Sequence, residues 1–224
     1  KGTNDSNVLS AQVLNRHQDN LDLLFVDGNS GVKKVVLNEK DKAYVDVTDN
    51  LTFLKDNSFI WTSEKDGFNH IYHYDKAGKL KNQVTKGKWE VTSYYGFDEK
   101  NKKIYYQSVE NGSINRDVYS ISIDGKSKKR LSLKTGTNNA TFSPNFQYFI
   151  NTHSSATSAP YYSLNDSKTS KELKKIQSNE AVEEKLAKYN VAPKEFSTIT
   201  TEKGHVLNTW MIKPKDFDPT KKYP

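Results

Sequence analysis

Two histidines, His70 and His73, form the pair whose type and spacing could suggest a metal site in this sequence. They lie in a run that favours a β-strand, and side chains along a strand alternate between its two faces. Residues three apart therefore face opposite sides and cannot share one metal ion. The other histidines, His17, His153 and His205, are isolated in the sequence. We predict structural or surface histidines, with no metal and no other cofactor.

The sequence also lacks a motif that would supply a nucleophile for covalent catalysis. The chain has no cysteine, no Gly-x-Ser-x-Gly elbow and no phosphate-binding loop. The paired acids Glu183 and Glu184 fall in a helix-like stretch, and we interpret them as its solvated face. The segment Ser63–Gly67 is interpreted as a hairpin turn in which Asp66 and Gly67 supply the positive-φ positions. We therefore assign no catalytic, substrate-binding or metal-binding residue.

The formal charge of +7 raises the possibility of a nucleic-acid partner. Only three of the 34 basic residues are arginines, whereas base and phosphate recognition favours the arginine fork. The short basic cluster Lys126–Arg130 follows a turn signal at Asp124-Gly125, and we interpret it as a solvated strand edge, where lysines discourage aggregation between sheets. We predict no nucleic-acid binding. The longest apolar run, Leu21–Val26, is far shorter than the roughly 20 residues of a membrane-spanning helix.

The elements that must position any site are mostly strands. Aromatic residues are abundant, with 13 tyrosines and 10 phenylalanines, and β-favouring runs alternate with turn signals such as Asn111-Gly112. The predicted strands are Val8–Leu14, Leu21–Val26, Val32–Leu37, Phe59–Thr62, His70–Tyr74, Trp89–Tyr95, Lys103–Ser108, Asp117–Ile123 and Tyr148–Thr152. Many short strands at regular spacing indicate an all-β sandwich, barrel or propeller.

A repeat distinguishes among these folds. Three aromatic residues and three glycines each recur at an interval of 47 residues. They are Phe25, Tyr72 and Tyr119, and Gly31, Gly78 and Gly125. A period of about 40–50 residues with several short strands is typical of β-propeller blades, so the aromatic residues should occupy equivalent strand positions. Phe149–Thr152 and Tyr161–Leu164 resemble a fourth, degenerate unit. The sequence thus predicts three to four blades of an incomplete propeller, in which Val8 already lies inside a blade.

The sequence changes in character after the blades. Ser178–Tyr189 has the spacing of an amphipathic helix, with Ser178 or Asn179 as its cap. Phe196–Thr200 and Val206–Lys213 then form a predicted hairpin around Gly204. We expect blades over residues 1–175, a linker helix over 176–195 and the start of a second domain over 196–224.

Several long motifs resemble one enzyme family along the whole chain and in order. Ala11–Gln18, Trp61–Tyr72, Val84–Val91 and Phe142–Pro144 are similar to blade segments of bacterial dipeptidyl peptidase IV-like serine peptidases. Met211–Pro219 and Lys221–Pro224 resemble the beginning of their α/β-hydrolase domain.

The resemblance implies an eight-bladed propeller above an α/β-hydrolase domain that releases N-terminal dipeptides with penultimate proline through a Ser-Asp-His triad. It implies a peptide substrate, a homodimeric parent enzyme and a periplasmic or secreted location. It places the amine-binding glutamates upstream of Lys1 and the triad downstream of Pro224, so the chain alone should be inactive. Tyr44–Val47 falls where relatives have a loop that lines the extended substrate pocket, but no residue-by-residue alignment is possible. The alternative is a propeller module that binds proteins or glycans.

Overall fold

The structure is a computed structural model that describes residues 2–189 and 192–223. The described part consists of antiparallel strands and one helix, which divide into two compact units, residues 1–131 and 132–224. The elements are β1 (Val8–Leu14), β2 (Asn20–Asp27), β3 (Lys33–Lys40), β4 (Thr52–Phe53), β5 (Phe59–Ser63), β6 (His70–Tyr74), β7 (Leu80–Gln83), β8 (Val91–Asp98), β9 (Lys103–Ser108), β10 (Asp117–Ser122), β11 (Lys129–Arg130), β12 (Thr137–Phe142), β13 (Tyr148–Ser155), β14 (Ser158–Asp166), β15 (Glu172–Gln177), α1 (Glu180–Tyr189), β16 (Glu195–Thr200) and β17 (Val206–Met211).

The strands form successive meanders in which each strand pairs with its neighbour in the sequence. The first sheet has the order β1-β2-β3, and the second, third and fourth sheets have the orders β4-β5-β6-β7, β11-β10-β9-β8 and β12-β13-β14-β15. A four-stranded antiparallel meander is the unit of a propeller blade. The predicted fold class is therefore confirmed, including the fourth unit.

Large apolar side chains fill the spaces between the sheets of the first unit. Leu21 and Leu23 of the first sheet share a buried cluster with Phe59, Trp61 and Tyr72 of the second sheet. A second cluster joins the opposite face of the second sheet to the third sheet; it includes Ile60, Ile71, Ile104, Tyr106 and Tyr119. The second sheet is consequently buried on both faces, which explains why β5 and β6 are buried at every position.

The 47-residue repeat holds for the strands but not for all three aromatic side chains. Phe25, Tyr72 and Tyr119 lie on equivalent strands of three sheets, as predicted. However, Phe25 points toward the following sheet, where its ring lies 6.1 Å from that of Phe59, whereas Tyr72 and Tyr119 point toward the preceding one. The prediction of equivalent positions is thus wrong for Phe25.

The length of one turn explains this difference. In the first sheet Gly31 N–H donates to the carbonyl of Asp27, four residues earlier, whereas Gly78 and Gly125 donate to carbonyls only three residues earlier, at Asp75 and Ser122. When the three sheets are aligned on these glycines, β2 is therefore displaced by one residue relative to β6 and β10. A displacement of one residue exchanges the two faces of a strand.

The second unit holds the fourth sheet, the helix and the hairpin. The predicted helix begins at Glu180 rather than Ser178. Asn179 precedes it, and its backbone carbonyl accepts from Val182 N–H at 2.9 Å. Its side chain does not cap the helix, because Oδ1 accepts from Gln177 Nε2 at 3.0 Å. The helix has no buried residue. The predicted hairpin is present as β16 and β17, and Gly204 in its turn has a φ of 81°.

Candidate functional site

A cavity of about 490 Å3 opens in the first unit, beside the first and second sheets. Its walls are the loop after β3, the end of β5 and the turn between β5 and β6, and its lining residues are 39–41, 43–50, 61–65, 67 and 69. A volume of this size falls within the range of ligand-binding clefts.

Hydrogen bonds hold the loop wall against both sheets. Val45 N–H donates to the carbonyl of Gln18 at 2.6 Å, and Gln12 Nε2 donates to the carbonyl of Thr48 at 2.7 Å. The hydroxyls of Thr48 and Thr62 lie 2.9 Å apart, which connects the loop to β5. The loop is therefore fixed at several points although it contains no regular secondary structure.

Glu39 is a half-buried acid that lines the cavity. Its Oε2 accepts a hydrogen bond of 2.5 Å from Ser63 Oγ on the second sheet. Its other oxygen, Oε1, is buried. Burial raises the pKa of the Glu39 carboxyl, although the Ser63 hydroxyl, the charge of Lys65 and the indole of Trp61 act in the opposite direction.

Trp61 lies beside Glu39 in the cavity wall. Its side chain lines the cavity and only 1% of the residue is exposed. A hydrogen bond from the Trp61 indole to the Glu39 carboxyl lowers the pKa of that carboxyl. The carboxyl thus has two side-chain partners on β5, Ser63 and Trp61, as expected for a buried polar group.

Lys65 also lines the cavity, with its ammonium packed against two tyrosines. Its Nζ donates to Tyr74 Oη at 2.7 Å and lies 4.0 Å from the ring centroid of Tyr72. Burial lowers the pKa of the Lys65 ammonium, and the nearby charges of Glu39 and Asp66 partly oppose this shift. Burial also raises the pKa of both phenols above the ordinary range.

The cavity is acidic although the chain as a whole is basic. Five acids and two lysines line it: Glu39, Asp41, Asp46, Asp49 and Glu64, with Lys40 and Lys65. All of these acids except Glu39 are exposed. The lining residues thus carry a formal negative charge, opposite in sign to the formal charge of +7 of the whole chain.

Two segments of this wall carry predictions from the sequence. Tyr44–Val47, the segment compared with a pocket-lining loop, does line the cavity. The turn at Ser63–Gly67 also lines it, but only Gly67, with a φ of 97°, has the predicted positive φ. Asp66 was wrongly placed at a second such position, because the turn closes by a bond from Gly67 N–H to the carbonyl of Glu64.

The histidines lie in separate hydrogen-bond networks of the second sheet. The two ring nitrogens of His70 lie 3.1 Å from Thr85 Oγ1 and 3.0 Å from the carbonyl oxygen of Gly87. His73 Nε2 lies 3.0 Å from Ser58 Oγ. These contacts connect turns to the sheet, and no group of three or more metal-ligating side chains occurs among residues 2–189 and 192–223.

The remaining candidates lie outside the cavity. Lys129–Arg130 forms β11, an edge strand of the third sheet, as predicted. The strand is half-buried rather than solvated, because Arg130 Nη2 pairs with Oδ1 of the buried Asp117 at 2.8 Å. Glu183 is on the helix, where its Oε1 accepts a bond of 3.3 Å from the backbone N–H of Ala159.

Glu39 and Trp61 are the residues that sequence reasoning missed. They are 22 positions apart in the sequence, on different sheets, and no motif connects them. The predicted strand ended at Leu37, two residues before Glu39, whereas β3 continues to Lys40. The available signal was therefore the position of Glu39, two residues after Leu37 and so on the same face of an extended strand.

Comparison with known proteins gives matches along nearly the whole chain. The family model for the dipeptidyl peptidase IV (DPP IV) N-terminal region matches residues 3–160. Dipeptidyl peptidase 4 of Trichophyton rubrum is 32% identical over 222 residues, which cover 95% of this chain and 28% of that protein. The dipeptidyl peptidase 4 of Arthroderma otae is 33% identical over 224 residues, with the same coverage of 95% and 28%. The chain thus spans less than a third of the length of these relatives.

A solved structure gives the same result. The crystal structure of Porphyromonas gingivalis dipeptidyl peptidase 4 matches this chain with a TM-score of 0.93 and 42% sequence identity. The match covers 99% of this chain and 32% of that chain. The meanders described above therefore correspond to part of a larger known architecture.

Proposed function

Because this chain belongs to the family of dipeptidyl peptidase IV N-terminal regions, we propose that it is the β-propeller portion of a serine exopeptidase. The parent enzyme releases N-terminal dipeptides with proline in the penultimate position. The observation that carries the proposal is the match in fold and sequence to a dipeptidyl peptidase 4 along nearly the whole chain.

The role of this portion is to shape the access of peptides to the catalytic centre. Support comes from the cavity beside the first two sheets, since the loop of residues 41–50 is anchored to both β1 and β5 and forms one wall. A wall fixed at several points does not have to reorganise when a peptide binds, and it excludes peptides that do not fit. The contribution of this portion is positioning rather than bond cleavage.

The chemistry belongs to another part of the parent enzyme. Acyl transfer needs a nucleophile, a base and an oxyanion hole, and this sequence has no Gly-x-Ser-x-Gly elbow.

We propose that residues 1–175 are the blades, 176–195 the linker and 196–224 the start of the α/β-hydrolase domain. A homodimeric parent enzyme and a periplasmic or secreted location are part of the same proposal. No helix in the described residues is long and apolar enough to cross a membrane.

A chimera tests the proposed function. This chain would replace the matching segment of Porphyromonas gingivalis dipeptidyl peptidase 4, and hydrolysis of a Gly-Pro reporter would be measured for the chimera and for the 224-residue chain alone. We expect turnover only by the chimera. If the chain alone hydrolyses the reporter and a serine-directed inhibitor stops this hydrolysis, the assignment of catalysis to another part of the parent enzyme is contradicted.

Variants of the chimera test the positioning role. Tyr44→Ala removes an exposed side chain from the cavity wall and should raise KM with little change in kcat, since the catalytic groups are untouched. Tyr189→Ala on the helix, also exposed, is the matched control. Equal KM values for both variants would argue against a role of this cavity in access.

A further inference from the structure

One hydroxyl of the second sheet joins the loop of residues 41–50 to the strand behind it. Thr62, in β5, is only 5% exposed, and its Oγ1 lies 2.9 Å from the hydroxyl oxygen of Thr48. The same oxygen accepts a hydrogen bond of 3.1 Å from Asn50 Nδ2. Two side chains of the loop therefore meet at a single atom, which belongs to a strand that is buried at every position.

Thr48 and Asn50 also bond to each other. Asn50 N–H donates to Thr48 Oγ1 at 3.2 Å, so the two residues approach β5 as one unit. The backbone carbonyl of Thr48 accepts a bond of 2.7 Å from Gln12 Nε2 on β1. This end of the loop thus contacts the first sheet at one atom and the second sheet through two side chains, both of which contact Thr62.

The start of the loop is attached to the first sheet. Asp41 N–H donates to the carbonyl of Asp19 at 3.1 Å, and Val45 N–H donates to that of Gln18 at 2.6 Å. The side chain of Val45 packs against the buried cluster between the first two sheets. The position of the loop relative to β5 consequently depends on the hydroxyl of Thr62, and the loop and β5 are two walls of the cavity.

We propose that Thr62 is a positioning residue for peptide binding, because its hydroxyl sets where the loop of residues 41–50 lies in the cavity wall. The inference rests on the proposed function, in which this cavity shapes the access of peptides. Thr62 takes no part in bond cleavage. Without the hydroxyl, Thr48 and Asn50 lose their partner on β5, and a peptide that binds would have to order the loop again.

Hydrogen exchange in the 224-residue chain tests the anchoring of the loop. Thr62→Val keeps the branched shape of the side chain and removes the hydroxyl, whereas Thr62→Ser keeps the hydroxyl. We expect the amides of residues 41–50 to exchange about tenfold faster in Thr62→Val, because two hydrogen bonds that hold the loop closed are lost. Thr62→Ser should stay close to the parent chain.

Thr85→Val is the matched control. Thr85 is also buried, with 2% exposed, and its Oγ1 accepts a hydrogen bond of 2.9 Å from Ile71 N–H and lies 3.1 Å from His70 Nδ1. The change removes the same group from the same unit but outside the cavity. It should lower the overall stability of the unit without a selective increase in exchange over residues 41–50.

Kinetics of the chimera test the effect on the substrate. Thr62→Val should raise KM for the Gly-Pro reporter by about three- to tenfold with little change in kcat, since the reacting groups are untouched. Thr62→Ser should restore KM, and Thr85→Val should leave it unchanged. A role confined to folding would lower the amount of active enzyme in both valine variants and leave KM the same.

Three outcomes would overturn the inference: loop exchange in Thr62→Val no faster than in Thr85→Val, a KM that Thr62→Val leaves unchanged, or a raised KM that Thr62→Ser fails to restore. Each of them leaves the proposed function intact, because the parent chimera is still active. An inactive parent chimera would contradict the proposed function and the effect on KM with it. The exchange measurements would then still support or overturn the anchoring of the loop by Thr62.

Discussion

Gly78, in the turn after β6, lies directly against the backbone carbonyl of Val36 in the neighbouring first sheet. A Cβ atom built at Gly78 would overlap that carbonyl oxygen. Gly78 also has a φ of 86°, which L-residues rarely adopt. Glycine is therefore required here for two independent reasons, one within the turn and one between adjacent sheets.

Gly78→Ala should strongly destabilise the first unit. Gly67→Ala is the matched control, because Gly67 has a φ of 97° but no atom within 4 Å of an added Cβ. The control should lose about 1–2 kcal/mol from the left-handed backbone, and Gly78→Ala about 1–3 kcal/mol more from overpacking. Urea unfolding of the two variants measures the difference. Equal losses would mean that the two sheets separate easily at this contact.

Ser170→Gly should stabilise the fourth sheet. Ser170 has a φ of 66°, and its N–H donates to the carbonyl of Asp166 at 2.8 Å, as Gly31 N–H does to Asp27 at 2.8 Å. Glycine would relieve the left-handed strain, with an expected gain of about 1 kcal/mol. The reciprocal change, Gly31→Ser, should cost a similar amount in a thermal melt. A loss of stability in Ser170→Gly would show that the serine side chain matters more than the backbone.

The charge of Glu39 should make stability fall as pH rises. Burial raises the pKa of Glu39 in the folded chain above its ordinary value of 4.5, so in that window the folded state holds a proton that the unfolded state has lost. The free energy of unfolding then decreases from about pH 4.5 up to the raised pKa. In thermal melts between pH 4 and pH 8, the melting temperature of Glu39→Gln should increase relative to that of the parent chain as pH rises. A constant difference between the two melting temperatures across this range would contradict the prediction.

Tyr106→Phe should reduce the loss of stability in alkaline solution. The phenol of Tyr106 is buried without a hydrogen-bond partner, and burial raises its pKa above the ordinary value of 10.0. An acid whose pKa is raised by folding contributes stability below its ordinary pKa, and this is lost as pH increases beyond it. The variant keeps the ring that stacks on Tyr119 at 5.5 Å. Unfolding above pH 10 measures the effect, with the exposed Tyr44→Phe as control.

The hairpin of β16 and β17 should cause the isolated chain to self-associate. Phe196 and Trp210 are cross-strand partners on one face of the hairpin and are 51% and 59% exposed. Ile199 and Leu207 are exposed partners on the opposite face. Such patches usually find a partner. Light scattering should show a mass that rises with concentration, and the double change of Phe196 and Trp210 to lysine should reduce it. Val32→Lys, at an exposed turn, is the control.

Much of this fold follows from local sequence patterns. Val8–Leu14, His70–Tyr74 and Lys103–Ser108 were predicted with the bounds that the structure has, because β-favouring residues stand between clear turn signals. The two-residue strand Thr52–Phe53 was not predicted, because so short an edge has no detectable alternation. Lys129–Arg130 was predicted only as part of a longer basic strand edge, without its bounds.

The incorrect prediction for Phe25 shows that the spacing of residues in the sequence does not determine which face of a sheet a side chain occupies. An interval of 47 residues is a property of the sequence, but the face of a side chain depends on every residue in the intervening turn. One additional residue between Asp27 and Gly31 was enough to exchange the faces. The cavity could not be predicted for a related reason: the bond between Ser63 and Glu39 joins two sheets, and the sequence does not specify how their ends meet.

The pairing of each strand with its neighbour in the sequence has a consequence for synthesis. Each sheet in the described residues is made from one uninterrupted segment, and none of these ladders waits for a distant strand. Closing such short loops costs little chain entropy, and N-terminal parts fold first during synthesis. A ribosome translating this chain can therefore complete the ladder of one sheet before the next sheet has been made, and the first and second sheets each then present an apolar face to the sheet that follows.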